Sequence, residues 1–384
     1  MTANERMNAH LSELMHDLAG SAIEPLDDVL RQTARTRQRP AWTFPERWLP
    51  MTEITAQAVP EYRRPVVLLI AFLLLLAAFA VVASGIWRQQ PTPLPASVDI
   101  NAAAAQRFEI SGAAYPAVGL DRLWITVRGA GIAEVDPTTG DILKVTQIEG
   151  GSCGSLEVAF GRVWTPTCQV GGVTAVNLDG DQTAVRFGVP IVDEEITLAV
   201  GHDALWVVAG GIGDQLVKVD PQSMQVAAVF PVDQGSAGAE VAFESVWLTG
   251  KTTGEVTRLD PGTGAVRATI AVGALPRLLA AGEDAIWVVN QGDGTVSRID
   301  PSSNKVVATI EVGPLLSAGG IEVAGGSVWV RGADVIARID PGENRVVALY
   351  GPAPAGGGIG SDGASLWVTS PDTNMVWRLP EPAD

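Results

Sequence analysis

Three glutamates occupy equivalent positions in the sequence, each seven residues before a tryptophan. They are Glu157, Glu240 and Glu322, which precede Trp164, Trp247 and Trp329. If such carboxylates converge on one centre with loop carbonyls, they are suitable ligands for Ca²⁺ or Mg²⁺, since both ions prefer oxygen. The alternative is that each glutamate is hydrated or paired locally, with Arg128, Arg277 and Arg331 as available partners. The identity of any metal stays unknown from the sequence.

Residues typical of common hydrolase sites are missing from the sequence. The only histidine after residue 16 is His202, in the turn-like segment VGHDALW. The chain also has no G-x-S-x-G segment, no paired cysteine and histidine, and no histidine-rich metal spacing. We therefore predict no catalytic residue.

The two cysteines, Cys153 and Cys168, are predicted to form a disulfide. They are the only cysteines, and they lie in a part of the chain that we place outside the cytoplasm. Two separate buried thiols are the alternative. A bridge would close a loop of about fifteen residues and stiffen the surface around it.

A repeat marked by tryptophan must position all of these side chains. Tryptophans recur every 38 to 42 residues at Trp124, Trp164, Trp206, Trp247, Trp287, Trp329 and Trp367. Each lies in a strand-like run such as LWVV, and a second run such as VTRLD follows a polar loop. Five repeats then turn through Asp-Pro, where the carboxylate accepts backbone N–H groups and proline fixes φ. With one run before the tryptophan and one after the turn, each repeat has four strands, A to D.

Seven such units predict an all-β fold, a seven-bladed β-propeller with four-stranded antiparallel blades. A solenoid is the alternative, but its repeats are usually shorter or helical. The last repeat lacks strand D, whereas residues 107–111 (RFEIS) form an extra strand before the first complete repeat. We predict that this N-terminal strand closes the last blade and removes the exposed sheet edges. The tryptophans then pack between blades.

In this strand order the D–A and B–C loops share one end of the ring, where propellers usually contact ligands. Arg277, Asn290 and Arg331 belong to this group of candidates, together with the three glutamates. The two cysteines map to the same end. His202 maps to the opposite end, in an A–B turn.

The segments IWVV, TVSRIDP and KVVATIEVG resemble YVTN and NHL-like propeller repeats, including the streptogramin lyase group. The resemblance covers residues 106–384 and implies the fold. It implies less about function, because these repeats occur in binding modules, sensor ectodomains and a few enzymes. Streptogramin lyases use histidines with an acidic residue and a divalent metal on the ligand face, and no loop of this chain supplies such a histidine.

One segment of the N-terminal part is predicted to span a membrane. Residues 66–87 run for 22 positions without a charge, and as a helix they would span about 33 Å. A cleaved signal peptide is the alternative, but 65 residues precede the run. Arg47, Arg63 and Arg64 precede the helix, and Arg88 alone follows it closely, so the N-terminus is predicted to be cytoplasmic.

Four segments are therefore predicted: a cytoplasmic segment with short amphipathic helices (1–64), a transmembrane helix (65–88), a Pro/Ala-rich stem (89–105) and the propeller (106–384). Residues 34–51 interleave arginine with aromatic residues, so they either lie on the inner leaflet or form a solvated linker. The predicted location is a bacterial cell membrane with an extracytoplasmic propeller. A net charge of −17 argues against nucleic acid as a partner.

The sequence favours a non-enzymatic role. In this interpretation the anchored propeller binds a ligand, a partner protein or an envelope component, as a sensor or scaffold. The alternative is a metal-assisted lyase or lactonase of the streptogramin-lyase-like type that uses Glu157, Glu240 and Glu322. A third hypothesis is a regulator in which residues 1–64 capture a cytoplasmic protein.

Overall fold

The computed structural model describes residues 93–167, 170–189, 191, 198–210, 214–314, 319–354 and 356–380. The predicted cytoplasmic segment and transmembrane helix lie outside these residues, as does Cys168, and they stay predictions. Within the described part of the chain, no helix has the length and apolar composition that crossing a membrane requires.

Seven antiparallel sheets form the blades of a propeller, as the sequence predicts. Blades 1 and 2 contain β3 (Ala113–Gly119), β4 (Arg122–Val127), β5 (Gly131–Val135) and β6 (Ile142–Thr146), then β7 (Glu157–Ala159), β8 (Arg162–Thr167), β9 (Gly172–Val176) and β10 (Gln182–Arg186). Blades 3 and 4 contain β11 (Leu198–Gly201), β12 (Ala204–Ala209), β13 (Gln215–Asp220) and β14 (Gln225–Pro231), then β15 (Ser236–Ala242), β16 (Ser245–Gly250), β17 (Glu255–Leu259) and β18 (Val266–Ala271). Blades 5 and 6 contain β19 (Pro276–Gly282), β20 (Ala285–Asn290), β21 (Thr295–Asp300) and β22 (Lys305–Glu311), then β23 (Gly320–Ala324), β24 (Ser327–Arg331), β25 (Ile336–Asp340) and β26 (Arg345–Gly351).

Blade 7 is closed by a strand from the N-terminal side. Its own strands are β27 (Ile359–Ser361), β28 (Ser365–Ser370) and β29 (Met375–Pro380), and β2 (Gln106–Glu109) pairs antiparallel with β29. The Phe108 ring stacks on Trp367 with 6.1 Å between centroids. The predicted closure is confirmed, with a strand that begins one residue before the predicted segment and ends at Glu109.

The predicted stem extends onto the propeller. Residues 97–103 form β1 (Ser97–Asp99) and the short helix α1 (Ile100–Ala103), and β1 pairs in parallel with β26 as a fifth strand of blade 6. Ile100 is fully buried, and Asn101 Oδ1 accepts a 3.0 Å hydrogen bond from Trp377 Nε1. The apolar Ile100 side chain thus draws part of the alanine-rich segment onto the sheet.

The seven repeat tryptophans form the centre of the inter-blade core, as predicted. Each is at most 3% exposed. In blades 1 to 6 the indole N–H donates to the carbonyl five residues earlier, at 3.0 to 3.2 Å. In blade 7 Trp367 instead donates to the Asp362 carboxylate. The clusters join neighbouring blades, since Trp206 of blade 3 packs with Val246 and Leu248 of blade 4. Burial of these rings with their N–H groups satisfied stabilises each blade junction.

We call the end of the ring that carries the A–B and C–D turns the turn face. Six of the seven A–B turns have two residues, both with positive φ, such as His202 and Asp203 in blade 3. This conformation matches the twist of the strands that it joins. In the C–D turns the aspartate of Asp-Pro accepts backbone N–H groups, as Asp260 does from Gly262 (2.9 Å) and Thr263 (2.8 Å).

Basic residues of strand C link neighbouring blades near the turn face. In blades 3, 4, 5 and 7 they lie 4.8 to 5.3 Å from the centre of the tryptophan ring: Lys218, Arg258, Arg298 and Arg378. Arg298 also donates to the Pro341 carbonyl and to Asn344 Oδ1 of the next blade. Arg258 makes the same pair of bonds one blade earlier, with Pro301 and Asn304. This repetition explains why Arg recurs before Ile-Asp-Pro or Leu-Asp-Pro.

Candidate functional site

A central channel of about 380 Å³ runs between the inner strands, and strand A residues of all seven blades line it. Glu157, Glu240 and Glu322 are among the lining residues. We call the end of the ring that carries the D–A and B–C loops the loop face. Each glutamate lies three residues before its A–B turn, so the carboxylates are in the half of the channel nearer the turn face.

The residue that pairs with the repeat tryptophan alternates around the channel. Blades 2, 4 and 6 carry glutamate there, and the other blades carry alanine or glycine: Ala117, Ala199, Ala280 and Gly360. The small residues leave room beside each carboxylate. The predicted equivalence of the three glutamates therefore corresponds to one shared register in the structure.

Burial changes the acidity of two of these carboxyl groups. Burial raises the pKa of Glu157 to about 8, and the charges of Glu240 and Glu322 contribute in the same direction. Burial also raises the pKa of Glu240 to about 7, although the Val241 N–H, 3.0 Å from Oε1, opposes that shift. Near neutral pH the channel thus holds a mixture of neutral and ionised carboxyl groups.

The described residues do not bring the three glutamates together as a metal site, and two of the three suggested arginines have contacts elsewhere, while pairing of a glutamate with Arg277 stays a prediction. The described residues contain no group of three or more His, Cys, Asp or Glu side chains close enough to hold a metal ion. Two suggested arginine partners bind elsewhere: Arg128 pairs with Asp372 at 3.1 Å, and Arg331 donates to the Pro354 carbonyl at 2.7 Å.

The structure separates the other predicted candidates from the glutamates and puts them near the loop face. Arg277 is the second residue of β19 and is 8% exposed, and Asn290 ends β20 and is fully buried. The Asn290 amide donates to Thr295 Oγ1 and Ser297 Oγ, at 3.0 and 2.9 Å. Its Oδ1 has no hydrogen-bond partner among the described residues.

Threonine bridges strands at the loop face in three blades. Thr126, Thr249 and Thr369 each lie two residues after the repeat tryptophan, and each hydroxyl accepts a strand A backbone N–H of its own blade, at 2.8 to 3.0 Å. Thr249 also donates to the Arg277 carbonyl of blade 5, and Thr369 donates to the Ala114 carbonyl of blade 1. One small side chain thus satisfies backbone groups of two blades.

Arg331 occupies this same position in blade 6. Its side chain reaches towards blade 7, where Nη2 donates to the carbonyls of Pro354 and, at 3.5 Å, Ala353. Arg331 is 1% exposed, yet Nε and Nη1 have no partner within the described ranges. Burial lowers its pKa to about 10, partly opposed by Tyr115, Asp334 and Asp372. A buried guanidinium in this state is energetically unfavourable.

Cys153 and His202 lie in different parts of the ring. Cys153 lies before β7, where its N–H donates to the Pro166 carbonyl, and it is not a free thiol. Because Cys168 lies outside the described residues, the pairing of the two cysteines stays a prediction. His202 lies in the A–B turn of blade 3, on the turn face.

Comparison with known proteins supports the fold. No family model and no curated protein matches the sequence. Among solved structures, a streptogramin B lyase is 18% identical with a TM-score of 0.59, and the match covers 71% of this chain and 96% of the other. Virginiamycin B lyase from Staphylococcus aureus is 15% identical with a TM-score of 0.58, and the match covers 72% of this chain and 98% of the other. A catalytically inactive histidine-to-alanine variant of that enzyme, with quinupristin, is 15% identical with a TM-score of 0.61 and the same coverage of both chains.

The chain has the same seven-bladed propeller fold as these lyases. At this level of identity the similarity shows the fold alone, so the residues of the channel and loop face must be interpreted on their own chemistry. The sequence analysis identified the glutamates and Arg331 as candidates, but it did not recognise that Arg331 replaces a threonine that bonds to the backbone in other blades. An alignment of the repeats on tryptophan reveals this, because the residue two positions later is threonine in blades 1, 4 and 7.

Proposed function

We propose that this chain is a membrane-anchored binding module that uses the loop face of its propeller to bind a ligand or an envelope partner. The anchor is the predicted helix at residues 66–87, which orients residues 1–64 towards the cytoplasm and the propeller away from it. The lipid bilayer and a protein or envelope component are thus the proposed partners. A sensor or an envelope scaffold would both use this arrangement.

The position of unsatisfied buried polar atoms carries this proposal. Six buried side-chain nitrogen or oxygen atoms lack a hydrogen-bond partner in the described part of the chain. Five of them lie at or just beyond the end of strand B, on the loop face: Thr167 Oγ1, Asp214 Oδ1, Asn290 Oδ1 and Arg331 Nε and Nη1. Unsatisfied buried groups are unfavourable, so their concentration at one end of a regular ring is consistent with a surface that supplies partners on binding.

Cross-linking from matched positions of blade 4 tests the proposal. A photo-reactive amino acid replaces Thr252, an exposed residue of the B–C loop, or Glu244, an exposed residue of the A–B turn. Irradiation of cells that contain the full chain should give a discrete adduct from position 252 and none from position 244. Adducts from the turn face alone, or equal adducts from both positions, would contradict the proposed binding face.

A metal-assisted lyase is the second candidate, because the similar solved structures described above are streptogramin lyases. The purified full chain, incubated with quinupristin and Mg²⁺, should leave the compound intact. His202 is the only histidine after residue 16, and it lies on the turn face. Turnover by the wild-type protein that Glu240→Gln abolishes would favour the lyase over the binding module.

A further inference from the structure

Arg331 lies two residues after the repeat tryptophan, where three other blades carry a threonine that bonds to the backbone. At the equivalent position threonine satisfies backbone groups in blades 1, 4 and 7, and in blades 4 and 7 it also bridges to the next blade. Arginine in blade 6 makes only the contacts to the carbonyls of Ala353 and Pro354. Arg331 is the only charged residue at this position, which carries threonine, proline or valine in the other blades, and such a departure tends to mark a functional position.

Arg331 has no carboxylate in direct contact, although Asp334 and Asp372 act on its charge from a distance. No ion pair joins it to a carboxylate in the described part of the chain, and its Nε and Nη1 groups are both without an acceptor. Asp372, an acidic residue nearby, is paired with Arg128 instead. A buried charge that lacks a direct partner destabilises the folded protein. An anion bound to Arg331 would remove that cost.

Arg331 also lies beside the channel. Tyr115, which lines the channel wall, is close enough to Arg331 to influence its pKa. Gly320, the strand A partner of Arg331, is another lining residue. A group that binds Arg331 from the loop face would therefore lie at the channel entrance, in the half of the channel opposite the glutamates.

We propose that Arg331 anchors an oxyanion subsite at the channel entrance between blades 6 and 7, which accepts the carboxylate or phosphate group of a ligand. The guanidinium group is suited to both anions because it presents several N–H donors in one plane. The Pro354 carbonyl fixes the guanidinium through Nη2, and Ser370 Oγ donates to that same carbonyl at 3.1 Å. This inference deepens the proposed binding role and rests on it only for the choice of face.

Thermal unfolding of the full chain in detergent micelles tests the subsite. The probes are sodium acetate and sodium phosphate, with sodium chloride at matched ionic strength as the reference. We expect at least one oxyanion to raise Tm by about 2 to 4 °C over chloride. Acetate alone would identify a carboxylate subsite, and phosphate alone a phosphate subsite.

Variants separate the subsite from a general salt effect. Arg331→Met should fold and lose the oxyanion shift, whereas Arg345→Met, which removes an exposed arginine of the same blade, should keep it. Arg331→Lys preserves the charge without the planar fork and should reduce the shift. If neither oxyanion exceeds chloride in the wild type, or if Arg331→Met responds like the wild type, the subsite does not exist.

The results of the two experiments can be told apart. A loop-face adduct without an oxyanion shift would leave the binding role intact and remove Arg331 from it. An oxyanion shift without an adduct would indicate a small anionic ligand in place of a macromolecule.

Discussion

The seven blades have similar turns and contacts at one end of the propeller ring and dissimilar residues at the other end. On the turn face nearly every blade repeats the same two-residue A–B turn, and five carry the Asp-Pro turn. On the loop face the residue two positions after the tryptophan is threonine in three blades, arginine in one, and proline or valine in the rest. Among the described residues the regular end has one unsatisfied buried side-chain atom, Arg338 Nε, and the irregular end has the other five.

This difference shows where stability and function are encoded. A repeated contact such as the Arg298 link supports the ring, because each copy joins neighbouring blades. A polar side chain that breaks the pattern while buried does not support the ring in the same way. Proteins retain such groups where binding requires them, often at some expense of stability.

The same substitution at two arginines should give opposite results, and this is the largest effect that we expect. Arg298→Met on the turn face loses hydrogen bonds to Pro341, Asn344 and Glu283 and the contact with the Trp287 ring. It should lower the free energy of unfolding by about 2 to 3 kcal/mol. Arg331→Met should leave it unchanged or raise it by about 1 kcal/mol, because an apolar side chain replaces a buried cation whose Nε and Nη1 groups lack acceptors.

Urea unfolding of both variants beside the wild type measures this contrast. Met is close to arginine in reach and fills the buried space, so cavity effects stay small at both positions. A loss of stability at Arg331→Met equal to that at Arg298→Met would show that the guanidinium supports the ring, and the contrast between the two faces would fail.

The sequence predicts the regular features of this molecule better than the exceptional ones. The tryptophan spacing, the Asp-Pro turns and the surplus strand before the first repeat are local patterns, and they predict seven blades and their closure. The spacing also brings Glu157 and its equivalents to one channel. It does not predict that Ile100 draws the stem onto blade 6, because one buried side chain in an alanine-rich segment leaves no periodic signal.

The candidate site was predicted less completely. Sequence reasoning grouped Arg331 with the glutamates, whereas the structure separates them along the channel. Which N–H groups of a buried arginine find acceptors depends on the neighbouring strand A and on the D–A loop of the next blade. Those distances come from packing between blades, and residue spacing within one repeat does not contain them.

The channel carboxylates offer a second test, intermediate in size, because they lie between the two faces. Burial raises the pKa of Glu157 in the folded protein from its usual 4.5 to about 8. The folded state therefore binds an extra proton between these values, so its stability falls as pH rises from about 4.5 to 8. Glu157→Gln should raise the free energy of unfolding by about 1 to 2 kcal/mol at pH 8.5, below the fully buried limit because the side chain borders the channel.

The pH dependence distinguishes this effect from a change in packing. Near pH 4.5 the gain from Glu157→Gln should disappear, since the carboxyl group is then largely neutral in the folded state. Glu244→Gln, at an exposed turn residue, should be neutral at both pH values. A gain from Glu157→Gln that is equal at pH 4.5 and 8.5 would mean that the amide packs better, and the raised pKa would be refuted.

The smallest effect concerns a single repeated turn. Hydrogen bonds from Thr263 and Gly262 and from Arg267 lower the pKa of Asp260 to about 2, with the Thr263 N–H as the largest cause. A depressed pKa contributes stability above the unfolded value of 3.8, and that contribution is lost as pH falls towards 2. Asp260→Asn should therefore lower the melting temperature slightly at pH 7 and leave it unchanged near pH 2.

Asp284→Asn, in an exposed A–B turn, is the control at the same two pH values. The effect should be small because four other blades carry the same Asp-Pro turn, and each turn stabilises only its own hairpin. If Asp260→Asn also abolished the oxyanion response of the full chain, the two faces would be coupled through blade 4. The turn face would then be more than a scaffold, and the division of the ring into a supporting end and a binding end would be wrong.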